Sequence, residues 1–277
     1  MAKETPVKNP NEMSFFEHIE ELRWHLFRSI IAILVVTVVV FAMKNFVFHE
    51  IILGPTRPDF ITYRLFCDYL PQFCFYPHQL QIITRDIQEQ FISHIIVSLW
   101  LGFIVSFPYI LFELWRFIKP GLYSKEIKAA RGMVLICSFL FLLGVSFGYF
   151  VIAPVAITFL STYSVSQDIA NTTTLNALVN SITMFTLPVG LIFETPVILY
   201  FMAKIGLVSS AFLTQYRRHA VLVIVVVAAI ITPGPDVFSQ MLVAIPLYLL
   251  YEVSIIVVKR IDKERKEKED MAETNTN

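Results

Sequence analysis

The sequence has 277 residues, of which 56% are hydrophobic and only 16% are charged, and its 22 basic side chains balance its 22 acidic ones. This composition predicts an integral membrane protein, and a net charge of zero argues against a nucleic-acid partner, which requires a basic surface to neutralise phosphates. The three cysteines show no metal-ligand spacing, and the sequence contains neither a glycine-rich phosphate loop nor a Ser/His/Asp grouping. We therefore expect no metal, no cofactor and no enzymatic activity.

The first part of the chain predicts one surface helix and two membrane helices. Residues 1–13 are polar and form a tail, and a short amphipathic helix that lies along the membrane surface begins at about Ser14. It leads into the first membrane helix, from Leu26 to about Phe48. An aromatic-rich loop, about residues 49–87, separates this helix from the second membrane helix, Phe91 to Phe112.

The middle of the chain predicts a third and a fourth membrane helix. The uncharged segment from Gly132 to Gln167 is too long for a single span, so Pro154 is expected to divide it into the third helix and a loop. The fourth helix runs from about Leu175 to Ala203 and contains Glu194, which stands alone in a long apolar segment.

Glu194 is the most unusual residue of these segments. Lys204 follows it by ten positions, which places the carboxylate roughly 15 Å from the end of the helix, near the middle of a bilayer. A carboxylate at that depth costs about 3 kcal/mol, so we expect a partner or a wet cavity beside it. Pro188 and Pro196 weaken the helix on either side, which predicts a bend at Glu194.

The last part of the chain predicts a hairpin of two shorter helices, from His219 to Ile231 and from Val237 to Val258. The 13 residues of the fifth helix span only about 20 Å, against a hydrocarbon core of about 30 Å, so this helix does not cross an unperturbed bilayer. The tail, residues 259–277, alternates basic and acidic side chains and is predicted to be disordered. The predicted fold is an all-α integral membrane protein with six transmembrane helices, the last two of them short.

The placement of basic residues predicts the orientation of these helices. The N-terminal segment carries four Lys and Arg residues, the second connection five, the fourth three and the tail six, whereas the third and fifth connections carry none; the first connection carries four, but it is long enough for the rule to weaken. Basic residues favour the cytoplasmic side, so both termini are predicted to lie in the cytoplasm and the loop at 49–87 is exported.

Several polar residues are candidate functional sites, each with a plainer alternative. The position of Glu194 inside an apolar segment favours a functional role over that of a buried acid held by a structural hydrogen bond. The position of Glu252 is compatible with either role. Gln240 alone favours a structural hydrogen bond between helices. Glu21 and Glu126 place acids on the cytoplasmic face, where carboxylates can bind a basic peptide. The pattern alone favours a solvated helix face near Glu21, and for Glu126 a first-turn acid that stabilises the helix dipole.

Two cysteines, Cys67 and Cys74, lie in the exported loop. A disulfide between them is compatible with an oxidising compartment, and reduced structural thiols are an equally good interpretation.

Five motifs in chain order resemble a known family. They are His18-Ile19-Glu20-Glu21-Leu22-Arg23, Ile52-Leu53-Gly54-Pro55, Phe117-Ile118-Lys119-Pro120-Gly121-Leu122-Tyr123 with Glu126, Phe193-Glu194-Thr195-Pro196, and Thr232-Pro233 through Asp236-Val237-Phe238-Ser239-Gln240. On these residues, the region from about Ser14 to Lys259 is similar to the twin-arginine translocation protein family TatC.

This resemblance implies a cupped six-helix receptor in the inner membrane of a bacterium. Such a receptor recognises paired arginines in the signal peptides of folded cargo, recruits single-helix partners of the TatA/TatB type, assembles in more than one copy, and uses the proton-motive force. An alternative function is an ion-coupled transporter in which Glu194 and Glu252 relay protons. Trp24 and His25 replace a basic cluster that is frequent in the family, which implies weaker or more apolar binding beside Glu21.

The resemblance also implies roles for individual residues. Glu21 and Glu126 would hold the arginine pair, and Glu194 with Gln240 would form an intramembrane polar patch for partner helices. Pro55 would help to set the exported rim, and Asp236 would belong to the short exported loop between the last two helices. The residues that would shape the receptor surface are Arg23, Phe117, Pro120 and Tyr123.

Overall fold

The computed structural model describes residues 15–69, 76–77, 80–118, 127–163, 166, 172–232 and 237–274. Most of these residues are helical. Within the described ranges, five helical segments are long and apolar enough to cross a membrane: Ile19–Ala42, Glu89–Phe117, Gly132–Thr162, Leu175–Lys204 and Ser239–Arg265. The prediction of a helical, multi-pass membrane protein is therefore confirmed.

Helices make up nearly all of the regular secondary structure. In chain order, the α-helices are α1 (Phe15–Ala42), α2 (Lys44–Phe46), α3 (Ile61–Tyr69), α4 (Glu89–Ile118), α5 (Ile127–Phe147), α6 (Ala153–Thr162), α7 (Leu175–Ile192), α8 (Thr195–Lys204), α9 (Ser210–Gln215), α10 (Arg217–Ile231) and α11 (Val237–Thr274). Two π-helical segments (Val47–Ile52 and Gly148–Ile152), a 3₁₀ turn (Gly54–Thr56) and two short strands, β1 (Gln81–Ile83) and β2 (Thr172–Thr174), complete the described structure. The strands pair in parallel, with Gln81 opposite Thr172.

The main core lies where α4, α5 and α7 pack together. The rings of Phe107 and Phe141 stack with centroids 3.5 Å apart, and Phe185 is fully buried beside them. Helix α1 packs along α4, where Gly102 allows a close approach: a β-carbon at position 102 would lie 3.1 Å from the backbone of Thr37.

The N-terminal helix differs from its prediction. A separate surface helix and a first membrane helix were expected, but α1 is one continuous helix from Phe15 to Ala42. The physical reason is that residues 15–53 contain neither glycine nor proline, so no residue interrupts the backbone hydrogen bonds where the apolar segment begins.

Pro154 does not end the third membrane helix as predicted. Helix α5 passes through the π-helical segment Gly148–Ile152 into α6, and Pro154 occupies the first turn of α6. Proline is tolerated in a first turn, and the wider π turn absorbs the change in backbone hydrogen bonding. The prediction of a loop after Pro154 is therefore wrong.

The predicted bend at Glu194 is confirmed. Helix α7 ends at Ile192 and α8 begins at Thr195, so Phe193 and Glu194 form the break between them. Pro196 lies in the first turn of α8, and Pro188 lies inside α7.

The two last helices differ in length. Helix α10 has 15 residues, about 22 Å at the rise of an α-helix, which agrees with a short fifth membrane helix. Helix α11 has 38 residues and extends to Thr274, so the predictions of a short sixth helix and a disordered tail are wrong. Residues 259–274 contain neither glycine nor proline, and Lys263 pairs with Glu267 one turn later at 3.7 Å.

Tertiary contacts also hold the first turns beyond residue 258. A second small buried cluster joins the end of α8, α9 and the middle of α11, and its members are Ala203, Leu213, Ile255 and Val258. The Asp262 carboxylate accepts a hydrogen bond from the Ser210 backbone N–H at 2.7 Å. The predicted tail therefore begins as part of the packed structure.

Candidate functional site

The first candidate site lies where the N-terminal half of α1 meets the C-terminal end of α4. His25 contacts two residues of α4: its ring lies 6.2 Å from that of Phe117, and its Nδ1 lies 2.5 Å from Oε2 of Glu113. Glu21 precedes His25 by one helical turn and so shares this face of α1. The structure thus brings Glu21 and Phe117 to the same end of the helix pair, with Glu21 half-buried and Arg23 exposed.

Three of the predicted peptide-binding residues, Pro120, Tyr123 and Glu126, lie outside the described residues. Their positions in the sequence are informative, since they fall between the end of α4 at Ile118 and the start of α5 at Ile127.

His25, Glu113 and Tyr109 form a buried polar cluster one helical turn from Glu21, which the sequence did not predict. Only 7% of His25 and 2% of Glu113 are exposed. The second oxygen of Glu113 accepts a hydrogen bond from the Tyr109 hydroxyl at 2.9 Å, so both carboxylate oxygens have partners. Because a carboxylate only accepts, Nδ1 of His25 must carry the hydrogen that it donates.

Glu113 escaped notice because it comes one residue after the predicted second membrane helix, Phe91 to Phe112. The available signal was local, since Tyr109 and Glu113 are four residues apart at the end of an apolar helix. The partner on α1 left no comparable signal, because 88 residues separate His25 from Glu113.

The second candidate site is Glu194, in the break between α7 and α8. Only 8% of this residue is exposed, and its carboxyl group faces the thiol of Cys137 and the backbone of Phe141, both on α5. Its Oε1 is buried without a hydrogen-bond partner among the described residues. Helix α5 approaches the break between α7 and α8 closely, since a β-carbon at Gly144 of α5 would lie 2.7 Å from the ring of Phe193. This close approach places Glu194 against α5.

Gln240 lies on α11 and makes a contact of its own. Its Nε2 donates to the carbonyl oxygen of Val225 on α10 at 3.0 Å, as expected for a polar link between membrane helices. No hydrogen bond joins Gln240 to Glu194, so the patch in which they act together stays a prediction.

Glu252 is engaged by two side chains. Arg217 Nη2 on α10 donates to one carboxylate oxygen at 3.0 Å, and the Tyr248 hydroxyl donates to the other at 2.7 Å. The Arg217 bond and the Gln240 contact fasten α10 to α11 at two places, whereas the Tyr248 bond lies within α11. The structure therefore gives Glu252 a structural partner, one of the two interpretations that the sequence allowed.

The end of the bundle where α1 ends and α4 begins carries a structured cap instead of a plain loop. Tyr63 of α3 is fully buried, and its hydroxyl lies 2.8 Å from the carbonyl oxygen of Pro55 and 3.1 Å from that of Pro154. The Thr158 hydroxyl donates to Tyr63 at 3.1 Å. Burial raises the pKa of Tyr63 to about 12.

Cys67, the last but two of the α3 residues, is at this end of the molecule. Cys67 is disulfide-bonded, whereas Cys74 lies outside the described residues, so the pairing of these two cysteines stays a prediction. Asp236 also lies outside the described residues. Cys137, the third cysteine, is free and buried.

Comparisons with known proteins agree on one family. A family model described as Sec-independent protein translocase protein (TatC) matches residues 17–246. The chain is 42% identical over 262 residues to the Sec-independent protein translocase protein TatC of Blattabacterium sp. subsp. Periplaneta americana, covering 92% of this chain and 98% of that protein. It is 36% identical over 252 residues to the TatC of Campylobacter jejuni, covering 91% and 96%.

A solved structure is also similar. It is described as the crystal structure of the twin arginine translocase receptor TatC, and it superposes with a TM-score of 0.69 at 34% identity. The match covers 89% of this chain and 100% of that one.

Proposed function

The chain belongs to the TatC family of Sec-independent protein translocases, and from this premise we propose that it binds the paired arginines of signal peptides on folded cargo. The observation that carries the proposal is the position of Glu21, which lies on the α1 face next to the end of α4. The segment that contains Glu126 follows directly, because Glu126 immediately precedes the first residue of α5.

Two carboxylates are suited to a pair of arginines. A guanidinium group presents a planar fork of donors that matches both oxygens of a carboxylate, and this bidentate geometry discriminates arginine from lysine. The half-buried position of Glu21 strengthens such a contact relative to a fully solvated one. Arg23, Phe117, Pro120 and Tyr123 complete the surface that receives the peptide.

The His25–Glu113 pair positions this surface. Removal of one partner would leave the other buried without its hydrogen bond, which is strongly destabilising, so the pair fixes α1 against α4 one helical turn from Glu21. Glu21 is then presented by a rigid support.

Glu194 serves a different step, the recruitment of single-helix partners of the TatA/TatB type. Oε1 of Glu194 is buried and has no hydrogen-bond partner in the part of the chain that the structure describes, which favours contact with a polar group from a neighbouring helix in the membrane. Gln240 contributes to the same patch. In an ion-coupled transporter the two membrane acids would relay protons, but both oxygens of Glu252 are already engaged by Arg217 and Tyr248, which favours the receptor.

The proposal includes the arrangement in the membrane. Six helices, namely α1, α4, α5 with α6, α7 with α8, α10 and α11, form a cup in the inner membrane of a bacterium with both termini in the cytoplasm. Pro55 and Asp236 then lie on the exported side. Export draws on the proton-motive force, and the receptor works in a complex with more than one copy.

The test is peptide binding to the purified chain in lipid nanodiscs. Glu21→Gln and Glu126→Gln are each expected to weaken binding of a twin-arginine signal peptide roughly tenfold, the lower end of what a hydrogen bond to a charged group contributes. Glu20→Gln is the matched control, since Glu20 is an exposed acid next to Glu21 on the same helix. The assignment is wrong if both variants bind like the unmodified protein, or if a twin-lysine peptide binds equally well.

A further inference from the structure

A basic cavity lies where α8 and α11 reach the end of their membrane-spanning segments. It has a volume of about 590 Å³, and three cations, Lys204, Arg260 and Arg265, line it together with one carboxylate, Glu264. Lys204 ends one candidate membrane span, and the charged residues that begin at Lys259 follow the apolar part of another. The cavity therefore sits at the boundary between the hydrocarbon core and the aqueous phase.

The lining is both apolar and basic, since Tyr200, Ile205, Val257 and Ile261 line the cavity together with the cations. Tyr200 lines the cavity one turn before Lys204, and Val257 lines it one turn before the basic side chains of α11. One turn of helix corresponds to about 5.4 Å, so Tyr200 and Val257 lie nearer the interior of the membrane than Lys204 and Arg260 do. A ligand that fits both parts must itself be amphiphilic.

Tertiary contacts fix the walls of the cavity. Gly206 adopts a φ of 81°, and a β-carbon at this position would lie 2.9 Å from Nη1 of Arg265, so the guanidinium rests on the turn after α8. Asp262 binds the Ser210 N–H from the other side of the same turn. Arg260 makes no ion pair with any described residue, and its side chain is exposed at the cavity.

We propose that this cavity binds an anionic phospholipid, with the phosphodiester between the basic side chains and the acyl chains along Tyr200 and Val257. Three cations against one carboxylate leave a surplus of positive charge, which suits a headgroup with a net negative charge. A zwitterionic headgroup would bring its own cation into the basic rim, and a free phosphate would leave the apolar wall without a ligand. The site is separate from the Glu21 surface on α1 and from Glu194.

The test is lipid binding measured by native mass spectrometry on the purified full-length chain, with phosphatidylglycerol and phosphatidylcholine of identical acyl chains. We expect phosphatidylglycerol to bind at least fivefold more tightly. Arg260→Gln should weaken its binding about fivefold, the typical contribution of one cation near an anionic membrane surface. Arg260→Lys should retain it, and Lys259→Gln, the adjacent exposed cation outside the cavity, should leave it unchanged.

Three results would overturn the assignment. They are equal binding of the two lipids, no effect of Arg260→Gln, and displacement of the lipid by equimolar glycerophosphate, which carries the same phosphate without acyl chains. Twin-arginine peptide binding by Arg260→Gln should remain normal, so this test is independent of the one for Glu21.

Discussion

The buried His25–Glu113 pair offers the sharpest test of how the receptor surface is supported. The perturbation is a double-mutant cycle with His25→Leu, Glu113→Leu and the two combined, because leucine has a similar volume and cannot form the pair. Loss of one partner leaves a polar group buried at a site where only 7% of His25 and 2% of Glu113 are exposed. Each single variant should therefore lose about 3 kcal/mol of unfolding free energy.

The double variant distinguishes a coupled pair from two independent contacts. With both groups replaced by apolar side chains, no uncompensated charge remains, so the total loss should be about 1–2 kcal/mol and not the additive value of about 6 kcal/mol. Tyr109 loses its acceptor in this variant, but it is 41% exposed and can bond to water or lipid headgroups instead.

The measurement is equilibrium unfolding of the purified protein in mixed micelles, followed by the fluorescence of its three tryptophans. Trp24 and Trp115 lie on the two helices that the pair joins. Peptide affinity measured on the same samples reports whether Glu21 has moved. Additive losses, or single losses below about 1 kcal/mol, would refute a positioning role for the pair.

Two further perturbations address other parts of the chain. Glu194→Ala should reduce co-purification of single-helix partners several-fold, while twin-arginine peptide binding remains normal. The control is Cys137→Ala, which removes only the thiol that faces the Glu194 carboxyl group. Unchanged recruitment by Glu194→Ala would exclude this residue as the docking point. Tyr63→Phe should lower the free energy of unfolding by about 1–3 kcal/mol, because the carbonyl oxygens of Pro55 and Pro154 lose the hydroxyl that donates to them inside the core. The matched variant Tyr69→Phe changes an exposed tyrosine of the same helix. Equal effects of the two variants would contradict the assigned contacts.

The sequence was sufficient to predict those structural features that depend on residues only a few positions apart. Uncharged apolar segments define the membrane spans, the prolines around Glu194 interrupt the helix there, and the limited length of the segment before Thr232 makes α10 short. The family could also be identified from the sequence, since its motifs are short and occur in a fixed order.

Other features were decided by contacts between distant segments. His25 and Glu113 are ordinary surface residue types until α1 packs on α4, and only that packing makes them a buried pair. Pro154 was expected to break a helix, but the preceding π turn accommodates it, and the Thr62 hydroxyl donates to the carbonyl oxygen of Phe150, which a proline four residues later cannot bond. The segment after Val258 has the composition of a disordered tail, yet it begins as an ordered helix because Asp262 and the apolar cluster around Ile255 bind it to α8 and α9. The sequence thus determined most of the helices, since backbone hydrogen bonding and hydrophobicity act locally. The tertiary structure decided which polar groups are buried together, because burial depends on residues far away in the chain.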